Sequence, residues 1–384
     1  MNEPGEIIVV GGGPVGSALA LGLDKAGAAV TLLEARAGGG AEDDARTLAL
    51  SHGSRLILER LGVWPLPVAP TPILEINVSQ RAGFGRVELN AAESGVPALG
   101  YVVEYGALQR ALTAALAHSG VRIETACTAL AVESDAQSVT VSVDQAGTMR
   151  PLHARLAAVA DGGASLKLSP LKLHDYEQCA LVCDVAAGQP HRNRAFERFT
   201  AEGPLALLPN AQGWALVWTA RPDRAAALAA LDEKSFCAQL GDAFGGSLGA
   251  FQLRGRRQVF PLRLKVAARP SVPRCVLIGN AAQTLHPVAG QGFNLGLRDA
   301  FEFARLFAVH GAADPGGENL LNAFYAQRRF DRTATILFTD SLIRLFSKDI
   351  PLLAPARGLG LAALSLLPGA KKFVARRMIF GAHG

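Results

Sequence analysis

The chain has 384 residues, of which 49% are hydrophobic and 18% are charged, so it can bury substantial cores and is not a small disulfide-stapled scaffold. Its five cysteines include no CxxC pair, which argues against a zinc site and favours reduced thiols in the cytoplasm. Residues from position 341 onward carry a net charge of +6, which leaves −1 for the rest, and charge confined to one segment argues against nucleic-acid binding.

The N-terminal segment predicts a strand, a glycine-rich turn, a helix and a second strand. Residues 6–10 form a short run rich in β-branched side chains, and GGGPVGSALALGLDKAG follows with apolar residues on one helical face. Residues 29–33 predict the second strand. Because no signal-peptide pattern precedes the first strand, a cytoplasmic protein is expected.

Five residues in this turn belong to a GxGxxG pattern, in which the three glycines are the fixed positions. They are Gly11, Gly13, Pro14, Val15 and Gly16. Glycines here permit a tight turn and let backbone N–H groups approach a pyrophosphate at the positive end of a helix. Glu34 closes the second strand, where a carboxylate can accept hydrogen bonds from an adenosine ribose. Dinucleotide binding is therefore predicted; the alternative is a glycine turn needed only for close packing of the helix on the strand.

Further elements follow in the order expected of two interleaved domains. Helices are expected after Ser51, over EYGALQRALTAALAHSG and after residue 294, and strands over residues 121–125, 139–143, 156–160 and 276–279. Between them, residues 173–268 contain strand-like runs such as CALVCDV and GWALVWTA separated by polar turns. This change of pattern predicts a mainly antiparallel inserted domain.

The stretch IGNAAQTLHPVAGQGFN predicts a bent backbone that approaches something flat. His286 precedes Pro287, which fixes φ, while Gly290 and Gly292 free the backbone for close approach. Asn294 is expected at the start of a helix, whose positive end would favour the anionic edge of a reduced flavin.

These segments together resemble a known family. GGGPVG with Glu34, DDARTLALSHGS, ADGGAS and GNAAQTLHPVAGQGFNLGLRDA are similar to motifs of the FAD-dependent aromatic hydroxylases of ubiquinone biosynthesis, a group of single-component flavin monooxygenases. The similarity covers almost the whole chain. The segment PLLAPARGLGLAALSLLPGAKKFVARR resembles the octaprenyl-methoxyphenol hydroxylase branch.

The resemblance implies an α/β fold with an FAD-binding Rossmann-like domain of the glutathione-reductase type, an inserted mainly antiparallel β substrate domain and a helical C-terminal tail. The FAD-binding domain would comprise residues 1–70, 100–172 and 270–345, the substrate domain 71–99 and 173–269, and the basic tail 346–384.

The resemblance also assigns cofactor residues. They would be Gly11, Gly13, Pro14, Val15, Gly16, Glu34, Arg36, Arg46, Gln109, Asp161, Gly162, Asn280, Pro287, Gly290, Gly292, Phe293 and Asn294. Alternatives stay open for four of these residues. Arg46 could be a surface cation, Gln109 an exposed helical residue, and Asp161 with Gly162 an ordinary turn.

Two amides depart from the family pattern. Asn280 replaces an aspartate that bonds a ribityl hydroxyl, and a neutral hydrogen bond is roughly half as strong as a charge-assisted one, so weaker FAD binding is expected. Gln283 replaces a histidine without an expected chemical role. His286 and Pro287 are the candidate catalytic residues, although a structural role for His286 is the favoured alternative.

The implied activity is hydroxylation of a polyprenylated phenol. NAD(P)H would reduce the flavin, O2 would form a C4a-hydroperoxyflavin, and its distal oxygen would attack the ring. Candidate substrate contacts are Leu207, Trp218, Phe260 and Pro261, and no metal is expected. Two alternatives remain: an FAD-dependent isoprenoid reductase, and a non-catalytic accessory subunit of a quinone-biosynthesis complex, which the weakened contact at Asn280 would suit.

The basic tail is too interrupted to span a bilayer. Seven leucines lie among lysines and arginines between residues 350 and 380, which fits an interfacial segment on anionic lipid. Peripheral attachment to the inner face of the cell membrane would bring the enzyme to a lipid-soluble substrate. The alternative is an amphipathic tail packed on its own domain.

Overall fold

The computed structural model describes residues 6–38, 42, 44, 46–81, 83–163, 166, 168–311, 313–346 and 353–381. The strands among them are β1 Ile7–Val10, β2 Val30–Leu33, β3 Thr47–Ser51, β4 Thr71–Ile73, β5 Glu75–Gln80, β6 Arg86–Asn90, β7 Gly100–Glu104, β8 Arg122–Glu124, β9 Cys127–Ser134, β10 Val139–Gln145, β11 Thr148–Ala154, β12 Leu156–Val159, β13 Leu171–Ala187, β14 Arg194–Phe199, β15 Pro204–Asn210, β16 Gly213–Ala220, β17 Phe251–Ala267, β18 Cys275–Leu277 and β19 Gln283–Thr284. The helices are α1 Pro14–Lys25, α2 His52–Arg60, α3 Tyr105–Ala117, α4 Pro222–Ala230, α5 Glu233–Phe244, α6 Gln291–His310, α7 Glu318–Phe346, α8 Leu353–Leu366 and α9 Pro368–Phe380. Lys348 and Leu352 of the predicted tail lie outside the described residues.

A five-stranded parallel sheet has β1 at its centre, in the order β18, β12, β1, β2, β8. Val10 pairs with Val159 on one side and with Leu33 on the other. All four residues of β1 are buried, as expected of a central parallel strand covered on both faces. The predicted strand, helix and strand at the N-terminus are confirmed.

Two different layers cover this sheet. Apolar residues of α1, α3, α6 and α7 form one core with its first face. On the second face lies an antiparallel sheet in the order β11, β10, β9, in which Val139, Val141 and Val143 pack toward Ile8 and Val10. These three layers confirm the predicted FAD-binding fold class.

The second large sheet has eight strands, in the order β19, β17, β13, β16, β15, β14, β5, β6. Its neighbouring strands run antiparallel except β14 and β5, which are parallel. Helices α4 and α5 cover one face, where Trp218 packs with Phe236. The mainly antiparallel second sheet is confirmed. Strand β19 joins it from the segment assigned to the FAD-binding domain, because Thr284 pairs with Lys265 of β17.

Strands β3, β7 and β4 form a small sheet between the two large ones, and the C-terminal helices pack on the protein rather than projecting from it. Leu361, Ala375 and Ile379 are buried in one cluster with Ile343 and Phe346. Of the helices the structure describes, no single one is long and apolar enough to cross a membrane, although the bent pair formed by residues 355–366 and 368–380, at 96°, passes by length and composition.

Candidate functional site

Three loops meet where the parallel strands β1, β12 and β18 end. A Cβ atom on Gly11 would lie 2.7 Å from the Ala160 carbonyl oxygen, and one on Gly163 would lie 3.1 Å from the Asn280 carbonyl oxygen. In open α/β sheets, ligands bind at the carboxyl ends of the strands. The sequence motifs around residues 11, 161 and 280 therefore form one site.

The first loop is a glycine cradle. Gly11 has a φ of +103°, and a Cβ on Gly16 would lie 1.9 Å from the Gly11 carbonyl oxygen, so a side chain at either position would displace the turn. Helix α1 begins after Gly13, which supplies no side-chain cap. The positive end of α1 is therefore offered to an anion.

Glu34 closes the far end of this cradle. Glu34 is only 5% exposed, and its carboxylate accepts hydrogen bonds from the Gly12 amide at 3.0 Å and the Arg36 Nε at 2.8 Å. The hydrogen bond to Glu34 raises the pKa of Arg36. The structure thus brings the predicted ribose carboxylate and its neighbouring cation together beside the glycine turn.

Gln109 reaches the same cradle from α3. It is 2% exposed, which contradicts the alternative of an exposed helical residue. Its Nε2 donates to the Gly12 carbonyl at 3.0 Å, while its buried Oε1 has no hydrogen-bond partner. An acceptor without a partner at this depth is explained by a ligand that carries hydroxyl groups.

Arg46 lies at the entrance with its Nε 2.9 Å from Asp44, and this contact lowers the pKa of the Asp44 carboxyl. The guanidinium also lies 5.4 Å from the centre of the Tyr105 ring and 5.9 Å from that of Phe260. Arg46 is thus held by an ion pair and two ring contacts, but 47% of its side chain is exposed, so the alternative of a surface cation stays open.

The second and third loops are open toward the cradle. Asp161 accepts a hydrogen bond from the Gly163 amide at 2.8 Å, and Gly162 has a φ of +77° with no heavy atom within 4 Å of where a Cβ would stand. The side chain of Asn280 is exposed on the adjoining turn. Asp161, Gly162 and Asn280 thus lie at the same end of the parallel sheet as the cradle.

Gln283 has a structural role instead. It is buried, and its Nε2 donates to Asp299 Oδ2 at 2.6 Å. Asp299 also accepts a hydrogen bond from Arg328 Nε at 2.7 Å. The amide at position 283 therefore solvates a buried carboxylate and ties the bent stretch to α6 and α7.

His286 is fully buried and does not line the cavity described below. Its Nδ1 accepts a hydrogen bond from the Val288 amide at 3.2 Å, and its ring stands edge-on to Tyr176 with centres 5.2 Å apart. Burial lowers the pKa of His286 to about 4, so the ring is neutral at pH 7. This placement favours the structural alternative, whereas the neighbouring Pro287 does face the cavity.

The rest of the bent stretch approaches β3. Gly290 has a φ of +61°, and a Cβ there would lie 3.1 Å from Ala49 Cβ. Asn294 Oδ1 accepts from the Ser51 amide at 2.8 Å, and its Nδ2 donates to the Ala49 and Gly290 carbonyls. Because both ends of this amide bind backbone, Asn294 fixes the loop. Gly292 and Phe293 follow in the first turn of α6.

A cavity of about 240 Å³ lies between this stretch and the C-terminal helices. Its walls are almost wholly apolar and come from the second sheet, the small sheet of β3, β7 and β4, the 287–291 loop and α7 to α9. The residues of the sheet that line it include Ile76, Val78, Val87, Leu89, Ala206, Leu208, Val217 and Thr219. A cavity of this kind accepts an apolar molecule that reaches toward the loop.

The predicted substrate contacts lie elsewhere. Leu207 and Trp218 are buried against α4 and α5, on the opposite face of the sheet, because side chains alternate between faces along a strand. Their neighbours in sequence line the cavity instead. Phe260 and Pro261 on β17 are also absent from its wall, and Phe260 lies beside Arg46.

Sequence reasoning did not single out Glu197, which lines the cavity. The segment RAFERF of β14 places it on the same face as Ala195 and Phe199, both of which are buried. The sequence signal that could have identified it is a charged residue on the otherwise apolar face of an alternating strand. Among the described residues around the cavity, Glu197 is the only one with a titratable side chain.

The residues present fit FAD. The glycine cradle admits a pyrophosphate, Glu34 stands at the ribose position, and the buried Oε1 of Gln109 lacks a partner that a ligand hydroxyl would supply. The bent stretch then leads from this cradle to the cavity, where the ring system would meet a substrate.

Comparisons with known proteins agree with this geometry. A family model described as an FAD binding domain matches residues 5–338. The ubiquinone hydroxylase UbiL of Rhodospirillum rubrum is 35% identical, over 98% of this chain and 89% of its own length. The 3-demethoxyubiquinol 3-hydroxylase of Escherichia coli is 33% identical, over 94% of this chain and 95% of its own.

Solved structures show the same fold. The p-nitrophenol 4-monooxygenase PnpA of Pseudomonas putida superposes over all of both chains with a TM-score of 0.81 at 17% identity. Together with the relatives above, the family match over most of the chain settles its membership. The chain belongs to the FAD binding domain family and, within it, to the FAD-dependent hydroxylases of ubiquinone biosynthesis.

Proposed function

We propose that this protein hydroxylates the ring of a polyprenylated phenol in ubiquinone biosynthesis, with FAD as cofactor, NAD(P)H as reductant and O2 as co-substrate. The observation that carries the proposal is the apolar cavity, which extends from Pro287 and Gly290 to the C-terminal helices. One molecule can therefore place a polar ring near the cofactor loop and an apolar chain among the helices.

Bound FAD, reduced by NAD(P)H, would supply oxygen transfer at the flavin C4a position, as the family resemblance implies. The chain's own residues position the cofactor and keep the cavity dry. The glycine cradle and Glu34 would hold the adenosine diphosphate part, and Asn294 keeps the loop at Gly290 against β3. The apolar walls exclude water from the reacting ring.

The C-terminal helices would form the outer wall of the prenyl site. Leu361, Leu364, Val374 and Met378 line the cavity from α8 and α9. Gln291 ties the cofactor loop to α9, since its Nε2 lies 3.5 Å from the Met378 carbonyl. A substrate chain that lies between these helices would leave the protein on the side where they face solvent.

That outer side suits a lipid surface. Leu359, Leu366, Leu367 and Phe373 are between 57% and 80% exposed, on helices that also carry basic side chains. Apolar residues at the edge of a basic helix pair insert into the interfacial region of anionic membranes. We propose peripheral attachment to the inner face of the cell membrane through this surface, which would deliver a bilayer-soluble phenol to the cavity.

The experiment combines cofactor binding with product formation. Purified protein is titrated with FAD, and NADPH oxidation, O2 uptake and hydroxylated product are then measured with phenols that carry prenyl chains of increasing length. Coupled hydroxylation that improves with chain length supports the proposal. Saturable FAD binding with NADPH oxidation but no product from any phenol would overturn it, and substrate turnover without O2 uptake would favour an isoprenoid reductase.

Asn280 favours one second candidate, a non-catalytic accessory subunit of a quinone-biosynthesis complex. Its exposed amide lacks the charge of the family's aspartate, and a neutral hydrogen bond holds the ribityl chain less well. Asn280→Asp is expected to tighten FAD binding by about three- to tenfold. If the wild-type protein binds no FAD while the variant does, the accessory role is the better proposal.

A further inference from the structure

Glu197 occupies a position that the fold does not require to be charged. It lies on β14 between Val78 of β5 and Ala206 of β15 in the register of the sheet, and both neighbours line the cavity. Its side chain therefore faces the cavity and not the helices on the opposite face. The surface that it exposes is that of the cavity wall.

No described residue compensates this carboxyl group with a hydrogen bond or ion pair. The nearest charged residues on its own strand are engaged elsewhere: Arg194 Nε donates to Glu75 at 2.7 Å, and the Arg198 guanidinium lies 5.0 Å from the centre of Phe244 on the other face. Glu197 is half-buried and lines an apolar cavity, and a carboxylate in such surroundings without a partner is costly. Because this carboxyl group destabilises the fold, its presence is better explained by contact with a ligand than by a structural role.

The elements packed around Glu197 present no described charge toward it. The residues of the second sheet in the cavity wall are apolar apart from the Thr219 hydroxyl, and α7, α8 and α9 contribute Phe338, Leu364 and Met378 among other apolar residues. Burial alone raises the pKa of Glu197 to about 7. A base is most effective when its pKa lies near the working pH, and this environment provides that condition.

We propose that Glu197 is a catalytic base of the hydroxylation, whose carboxylate accepts the proton of the substrate's phenolic hydroxyl. This inference rests on the proposed function. The phenolic O–H bond breaks, its electron pair stays on the phenolic oxygen, and a new O–H bond forms on the Glu197 carboxylate. No electron is transferred between molecules in this step. The proton returns from Glu197 to the phenolic oxygen when the product leaves.

The proton transfer has a clear effect on the ring. A phenolate donates electron density to its ortho and para carbons far more strongly than a neutral phenol, so these carbons attack electrophilic oxygen more readily. In water a phenol of ordinary acidity, with a pKa of about 10, is almost wholly protonated at pH 7. A carboxylate in hydrogen-bond contact removes that proton as the new carbon–oxygen bond forms, which typically contributes about 10²- to 10⁴-fold in rate.

The test compares Glu197→Gln and Glu197→Asp with the wild-type holoenzyme. Glu88→Gln is the matched control, because Glu88 lies on β6 of the same sheet, is exposed, and accepts a hydrogen bond from Asn77 Nδ2 at 3.1 Å. FAD affinity is measured first and is expected to be unchanged in all three variants. Activity is then measured as kcat/KM from pH 5.5 to 9 with a geranylated phenol.

Glu197→Gln is expected to lower kcat/KM by about 100-fold or more and to abolish the rise in rate between pH 6 and 8, while Glu197→Asp recovers part of both. A second readout does not need turnover: the affinities of the geranylated phenol and of its methyl ether are compared by flavin fluorescence. The wild type should prefer the phenol by about tenfold, and Glu197→Gln should lose that preference.

Two results would overturn the assignment. One is a Glu197→Gln enzyme within twofold of the wild type and with the same pH profile. The other is equal binding of phenol and methyl ether by the wild type. If the wild type binds FAD but hydroxylates no phenol, the proposed function fails, and the pair of affinities still decides whether Glu197 recognises a phenolic hydroxyl.

Discussion

The buried ion-pair network of α6 and α7 and the half-buried Glu197 of the cavity wall are built on opposite principles. Beneath the cofactor loop, Arg328 is 4% exposed and binds Asp299 at 2.7 Å and Asp331 at 2.8 Å, and Arg298 binds Asp331 at 2.9 Å. At the cavity, Glu197 is the single titratable side chain of the described wall and has no partner. The first group compensates its charges within the protein, and the second leaves one to be compensated by a ligand.

The difference separates structural from chemical uses of buried charge. The paired network joins α6 to α7 and, through Gln283, to the bent stretch that leads to the cofactor loop. A buried ion pair is retained at little net gain, but removing one member leaves the other uncompensated. An unpaired carboxyl group in an apolar wall stabilises no neighbouring element. Substitutions in the network and at Glu197 should therefore change the free energy of unfolding in different directions.

The largest effect is expected from Arg328→Met. The change leaves Asp299 and Asp331 buried with fewer cationic partners and should lower the free energy of unfolding by about 3–5 kcal/mol, measured by urea denaturation. Arg305→Met is the matched control, because Arg305 forms an exposed pair with Glu302 that contributes about 0–1 kcal/mol. Equal effects of the two changes would contradict the structural role of the network.

Glu197→Gln should instead raise the free energy of unfolding at high pH. Because burial raises the pKa of Glu197 from 4.5 to about 7, its contribution to stability is fully present below pH 4.5 and is lost as the pH rises through about 7. The variant should therefore match the wild type at pH 4 and exceed it at pH 8.5, by up to about 3 kcal/mol. Thermal unfolding of the FAD-free protein at both pH values measures this. A destabilised variant at pH 8.5 would show that the carboxylate has a partner in the fold.

A smaller loss is expected from Gln283→Leu. This change removes the amide that donates to Asp299 at 2.6 Å but leaves the Arg328 pair, so unfolding should become easier by about 1–2 kcal/mol. Gln283→His restores the family residue, and its free energy of unfolding should lie between those of the wild type and the leucine variant. Wild-type stability in the leucine variant would mean that Arg328 alone satisfies Asp299.

The smallest effect on the folded protein is expected at the exposed apolar residues of the tail. Leu366→Ser with Phe373→Ser should leave thermal unfolding unchanged, because both side chains face solvent, yet weaken binding to liposomes that contain anionic lipid. The control is Val309→Ser, because Val309 is 66% exposed on α6 and lies outside the tail. If the double variant sediments with liposomes as well as the wild type does, this surface is not the membrane contact.

Much of the cofactor site could be predicted from the sequence, because its signals are local. Gly11, Gly13 and Gly16 lie directly between a strand and a helix, and Glu34 ends the next strand, so sequence spacing alone places them together. The fold class followed from the same spacing and from the family resemblance. The exposed alternative for Gln109 was wrong, since only the packing of α3 on the cradle buries that residue.

The substrate side was predicted less well for a physical reason. Strand alternation shows that Leu207 and Leu208 face opposite ways, but it does not reveal which face of the sheet receives α4 and α5. Once those helices cover Leu207, the other face, with Leu208 and Glu197, is left to the cavity.

The sequence by itself determined the strand, turn and helix motifs, the cofactor they suit and the basic character of the tail, because each depends on residues close together in the chain. Tertiary structure alone decided that the tail helices close the cavity, that Gln283 serves a buried aspartate and that Glu197 stands without a partner. Those outcomes depend on which distant elements pack together, and the free energy of packing is set by neighbours far apart in sequence.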